Sequence, residues 1–219
     1  KFYKNELLQI IKIGLPAGIQ GSLFSFSNVI IQSSINSFGP TVMSGNAAAL
    51  NIEGFMYIVL NAFHQSALNF TGQNIGAGKY KRAKKVFIMC LACVLVIGLA
   101  LSLCLYFLGP KLLSIYITDS AEAITWGMVR MSCLFLPYCL LGLMDVSGGA
   151  LRGMGVSFVP MVISVVGVCG FRIAWIYTIF RIPEFHTLEC LYLSYTISWA
   201  ITFVAQTIAY FITYNKKKK

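Results

Sequence analysis

Residues 86–108 read VFIMCLACVLVIGLALSLCLYFL, without a charged side chain, between the basic cluster Lys81, Arg82, Lys84, Lys85 and Lys111 beyond. A bilayer-spanning helix needs about 20 predominantly apolar residues, and this run meets that length. Five further segments meet it on either side, at 13–38, 46–72, 127–150, 157–180 and 188–214. Turn or charge signals separate them: Phe38-Gly39-Pro40, Gly76-Ala77-Gly78-Lys79, Gly109-Pro110-Lys111, Gly153-Met154-Gly155 and Arg181-Ile182-Pro183-Glu184. Composition agrees. Of 219 residues, 58% are hydrophobic and 11% charged, with a mean hydropathy of +0.76. An average soluble domain carries about 25% charged residues, so this chain lacks the material for a water-facing surface. A soluble enzyme, a nucleic-acid module and a disordered tail are excluded. The expected fold class is all-α: an integral membrane bundle of six transmembrane helices forming one domain over residues 1–219.

The net charge of +10 invites a nucleic-acid reading, but its distribution serves topology instead. With six spans both termini share a side. That side collects Lys1, Lys4, Lys12, the cluster at 79–85, Arg152 and the tail Lys216–Lys219, against Lys111 and Arg181 opposite. By the positive-inside rule the termini are cytoplasmic and the chain is multi-pass in a cell (plasma or inner) membrane. Residues 1–12 alternate charge and apolar groups as an interfacial helix does. The start at Lys1 and the lack of a cleavable signal peptide read as a segment of something longer. Seven cysteines lie mostly within apolar runs; the Cys90–Cys93 spacing has no second ligand pair and reads as packing, with no metal or cofactor expected.

The informative residues are those a span should avoid, because an ionisable group in hydrocarbon must face protein or water. Glu53 lies about eight residues into the second span, some 12 Å deep. Asn46, His64 and Thr71 fall within about 20° of it on a helical wheel, with Tyr57 a little further round. Such a stripe faces a cavity or a neighbouring helix. Two readings of Glu53 stand side by side: a proton or cation site, or a buried pair with Arg172, about 8 Å from the outer surface on the fifth span. Asp145, on the fourth span, reads either as a second coupling acid or as a helix-end residue tied to backbone or to Arg152. His64 alone reads as a packing residue. The first span holds two polar stripes, Gln20, Ser27, Ser34 and Ser25, Gln32, Asn36; one serves close packing and the other a pore, without a sequence signal for which.

Four stretches carry a resemblance. GLPAGIQGSLFSFSNVIIQSSIN at 14–36 with GNAAALNIEGF at 45–55 resembles the opening of the C-terminal half of a MATE-family (multidrug and toxic compound extrusion) transporter. NAFHQSALNFTGQNIGAGKYKRAKKV at 61–86 and DVSGGALRGMGVSFVPMVISVVGVCGFRIAWI at 145–176 are similar to the family's FTGQNIGAG and LRGMG signatures. The resemblance implies one six-helix lobe of a twelve-helix transporter, whose N-terminal lobe is its missing partner. The two lobes of the family flank a cavity that opens alternately to each side. It implies export of small organic, often cationic, compounds in exchange for protons or sodium, with Glu53 and Asp145 as coupling acids. The cavity or substrate set would be Gln20, Ser27, Asn46, Tyr57, His64 and Arg172. One departure stands out: many members carry a Glu on the first helix of this lobe, where Ser22–Ser27 has no acid. A flippase of lipid-linked saccharides and a non-transporting six-helix partner protein are the competing functions. Gly76-Ala77-Gly78 lacks the ending of a phosphate-binding loop, and nothing supports an enzyme.

Overall fold

The computed structural model describes residues 3–218, all helix and connecting turns with no strand among them. Lys1, Phe2 and Lys219, assigned above to the interfacial helix and the cytoplasmic charge, lie outside the described residues. The helices are α1 (Lys4–Asn36), α2 (Pro40–Gly76), α3 (Tyr80–Tyr116), α4 (Ala121–Leu134), α5 (Tyr138–Gly153), α6 (Phe158–Ser164), α7 (Phe171–Tyr177) and α8 (Leu188–Lys218). A π-helical turn, Val165–Gly170, joins α6 to α7 in one rod, and two short 3-10 turns lead on to α8. Among the described residues four helices are long and apolar enough to cross a membrane: α1, α3, the α6–α7 rod and α8. The pair α4–α5 makes a fifth, bent by 50° at its break. At 37 residues α2 is long enough, but its polar stripe dilutes its apolar character.

The core is centred on α2, which packs chiefly against α5, α3 and α4, with α8 closing over α5. Its apolar side chains, among them Met56, Leu60, Phe87, Val94 and Met131, are fully enclosed. The two glycine signatures end helices by the same device. Gly78 (φ +71°) lets Lys79 N–H reach the Asn74 carbonyl at 2.8 Å, and Gly155 (φ +78°) lets Val156 N–H reach Leu151 at 3.1 Å. These bonds satisfy last-turn carbonyls, and only glycine takes that backbone conformation without strain. Ser120 caps α4 by accepting the Ala123 N–H at 3.2 Å.

Several sequence expectations are corrected. No break separates an interfacial helix from the first span: α1 runs unbroken through Pro16. The expected end at Gly109-Pro110-Lys111 is absent, and α3 continues to Tyr116. The added turn buries Leu113, and Gly109 leaves room for Met128 of α4, which offsets the hydrogen bond that Pro110 cannot donate. The stretch 127–150 is two helices rather than one, broken before Pro137, and α4 begins six residues earlier than the apolar run.

Candidate functional site

A cavity of about 600 Å³ opens between α1, α2, α4, α5, α8 and the α6–α7 rod. Its polar wall includes Ser25, Gln32, Tyr57, Arg130, Asp145 and Arg172, and Phe24, Ile31 and Trp199 supply apolar surface. Both stripes of α1 contribute, Ser27 from one and Ser25 and Gln32 from the other. The expected allocation of one stripe to packing and one to a pore does not hold.

Glu53 is paired, but not with Arg172. Its carboxylate accepts a two-pronged grip from Arg130, Nε to Oε1 at 2.6 Å and Nη2 to Oε2 at 3.0 Å. The third nitrogen, Nη1, donates to Asn46 Oδ1 at 2.8 Å, an oxygen that also accepts the Tyr192 hydroxyl at 3.2 Å. Asn46 in turn donates to Gln32 Oε1 on α1 at 3.1 Å. Parallel N–H···O bonds between ions are among the stronger and more directional hydrogen bonds. Arg130 is 2% exposed and lies over the Tyr192 and Tyr195 rings, so the pair is largely buried at the edge of the cavity. Gly45 makes this crossing close enough. A Cβ there would run into the Ala123 carbonyl and sit 2.7 Å from Gly127 N, so α2 and α4 touch backbone to backbone one residue from Asn46.

The rest of the α2 stripe divides. His64 Nδ1 lies 2.7 Å from the Asp145 backbone carbonyl, so that nitrogen carries the proton and His64 is a packing link to α5. Thr71 is buried beside Gly153, and Tyr57 reaches the cavity from an exposed position. The Asp145 carboxylate also lines the cavity and makes no hydrogen bond or ion pair among the described residues. The expected tie to Arg152 is not formed: Arg152 Nη2 donates instead to Gln20 Oε1 on α1 at 2.7 Å. Gln20 is thus a fastening of α1 rather than part of the cavity wall. Arg172 donates from Nε to Ser198 Oγ at 3.0 Å and stacks 3.9 Å from the Tyr195 ring centroid. No group of three His, Cys, Asp or Glu side chains suited to a metal occurs among the described residues.

Arg130 falls within a span by sequence, but sequence reasoning did not assign it to Glu53 or to the site. With α4 starting at Ala121 it lies nine residues, about 14 Å, into its helix rather than at the edge of an apolar run. The arginine-facing aromatics of α8 were also missed, although Tyr192, Tyr195 and Trp199 at i, i+3 and i+7 fall on one face.

Comparison with known proteins gives this arrangement its family. The sequence profile of the MatE family matches residues 16–178. The chain belongs to the MatE family. Among MatE relatives, the "Probable multidrug resistance protein YoeA" of Bacillus subtilis is 22% identical over 220 residues, covering 100% of this chain and 47% of that protein. The "FAD transporter" of Shewanella oneidensis is 26% identical over 144 residues, 66% of this chain and 32% of that one. The fold is that of solved MATE structures: the Vibrio cholerae MATE transporter VcmN in its bent form superimposes with a TM-score of 0.87 at 18% identity, covering 99% of this chain and 48% of the other. This MatE chain therefore spans about half the length of the curated relative it matches end to end, and it is a multi-pass membrane protein.

Proposed function

We infer that the chain forms one lobe of a cation-coupled exporter of small organic compounds, with a second lobe of similar size supplying the opposite wall of the cavity. The observation that carries this reading is the pair of acids around one cavity in opposite states: Glu53 held by Arg130, Asp145 without a partner among the described residues. A carboxylate that lines a cavity inside a membrane bundle and has no partner is neutralised by what enters, a proton or a sodium ion. Glu53 then holds α2 to α4, and Asp145 carries the coupling ion. The names of the relatives, multidrug resistance proteins and a FAD transporter, support organic cargo. The basic clusters near the termini support cytoplasmic ends in the cell membrane.

The test is efflux of a fluorescent organic cation by the protein carrying both lobes, from cells and from proteoliposomes, driven in turn by a proton and a sodium gradient. Asp145→Asn keeps the shape and removes the charge. Export driven by the coupling ion falls to background while cargo binding persists. An Asp145→Asn protein that exports at the wild-type rate under both gradients would overturn the assignment.

A further inference from the structure

The second buried guanidinium differs from the first. Arg130 is matched by Glu53 with both carboxylate oxygens engaged. Arg172 is 4% exposed and lies on the same cavity wall, yet no carboxylate among the described residues pairs with it. Its one hydrogen bond runs from Nε to the neutral Ser198 hydroxyl. Nη2 is buried without an acceptor, and Nη1 has none among the described residues. The Tyr195 ring at 3.9 Å and the Trp199 ring at 5.5 Å offer their π faces to the cation. They hold the guanidinium plane in place but supply no acceptor in that plane. A buried cation in this condition is costly unless a counter-charge arrives. The terminal nitrogens of the guanidinium, without an acceptor among the described residues, match the two oxygens of a carboxylate or phosphate.

The position of Arg172 adds a constraint. It follows the π-helical turn Val165–Gly170 by two residues, and Val168 and Cys169 of that turn line the same cavity. Such turns are rare insertions within α-helices and occur often at functional sites. Phe24, Trp199 and Val168 provide apolar surface for the body of a ligand, and the volume suits a drug-sized molecule.

We propose that Arg172 is an oxyanion-binding residue of the cavity, and that the cargo of this chain includes amphipathic organic anions with an apolar, aromatic body. The anionic group lies against the unpartnered terminal nitrogens of Arg172 and the body against Phe24 and Trp199. Asp145 is left free for the coupling ion. This rests on the export reading only for the word cargo; binding itself does not depend on transport. Anionic lipid headgroups share the oxyanion chemistry, so the test includes them.

The experiment is direct binding of radiolabelled naphthoate to the full chain in neutral detergent, in competition with naphthamide, naphthylmethylammonium and phosphatidylglycerol. Naphthoate displaces its own label far better than the amide or the ammonium does. Arg172→Gln breaks no ion pair among the described residues, and the variant loses about tenfold or more in naphthoate affinity. Arg172→Lys keeps the charge without the two-pronged geometry and retains part of that affinity. Displacement by phosphatidylglycerol but not by free naphthoate would overturn the claim of a soluble organic anion. Equal affinity of wild type and Arg172→Gln, or preference for the ammonium, would overturn the oxyanion site. Anion binding without efflux in the gradient assay would leave this site standing and remove the export reading; efflux of cations without anion binding would do the reverse.

Discussion

The Glu53–Arg130 grip makes a quantitative prediction. Glu53→Gln is nearly isosteric but leaves the Arg130 guanidinium, 2% exposed, with Asn46 Oδ1 as its remaining acceptor outside the altered side chain. Removing one member of a buried ion pair costs about 3–5 kcal/mol, because the survivor is a desolvated, unmatched charge. At 1.36 kcal/mol per decade this is a loss of about two to four decades in the folded-to-unfolded ratio. Replacing both partners by neutral side chains of similar size is often neutral or stabilising. The double variant Glu53→Gln/Arg130→Met should therefore recover most of the loss. A residue of about 1 kcal/mol remains, since Asn46 Oδ1 keeps only the Tyr192 hydroxyl, at 3.2 Å. Glu53→Gln/Arg172→Gln should recover nothing. The assay is the fraction of monodisperse protein surviving a heating series in detergent, read by size-exclusion fluorescence. Wild-type survival of Glu53→Gln, or rescue by the Arg172 change instead of the Arg130 change, would refute the reasoning.

Three further predictions follow from the packing and the charge distribution. Gly45→Val should lower thermal survival by about 1–3 kcal/mol of overpacking, since the obstructing atoms are the Ala123 and Gly127 backbone. Gly54→Ala, with nothing within 4 Å, should not, and equal effects at both sites would contradict the described α2–α4 crossing. Arg152→Ala releases Gln20, so amide exchange over residues 18–24 of α1 should accelerate while the α2 core stays protected; unchanged exchange would show that this bond does not restrain α1. On a background cleared of native cysteines, a Ser120→Cys protein should be labelled by a membrane-impermeant reagent on intact cells and a Lys81→Cys protein should not, with the reverse pattern overturning the proposed orientation.

The membrane character was legible in residues 86–108 because apolar length is a one-dimensional property. The glycine punctuation at 76–78 and 153–155 was legible because positive φ selects glycine locally. The bend before Pro137 was not, since Leu134-Phe135-Leu136 carries the apolar run across it without a polar signal. Pro110 misled in the opposite sense, because burial of Leu113 against its neighbours outweighs a lost backbone bond. That Glu53 needs a partner could be argued from desolvation alone. Which arginine supplies it depends on where each helix starts to within a turn or two, and hydropathy blurs that position. The unpaired state of Arg172 was invisible for the same reason: it shows only once Glu53 is seen to be taken by Arg130.

The two amide fastenings of α1 have a consequence for how the cavity changes width. Gln32 meets Asn46 at 3.1 Å and Gln20 meets Arg152 at 2.7 Å, twelve residues or about 18 Å apart along the helix. Apart from these, α1 rests mainly on the slender α6–α7 rod, while α2, α3, α4 and α5 interlock with one another. The amide–amide bond contributes about 1 kcal/mol and the one from the Arg152 guanidinium about 1.5–3 kcal/mol, together less than unpacking the interlocked four. The lobe therefore resembles a barrel with one loose stave. Breathing at that seam would open the chamber sideways through α1 with the Glu53–Arg130 rivet untouched, so the wall can yield while the frame keeps its shape.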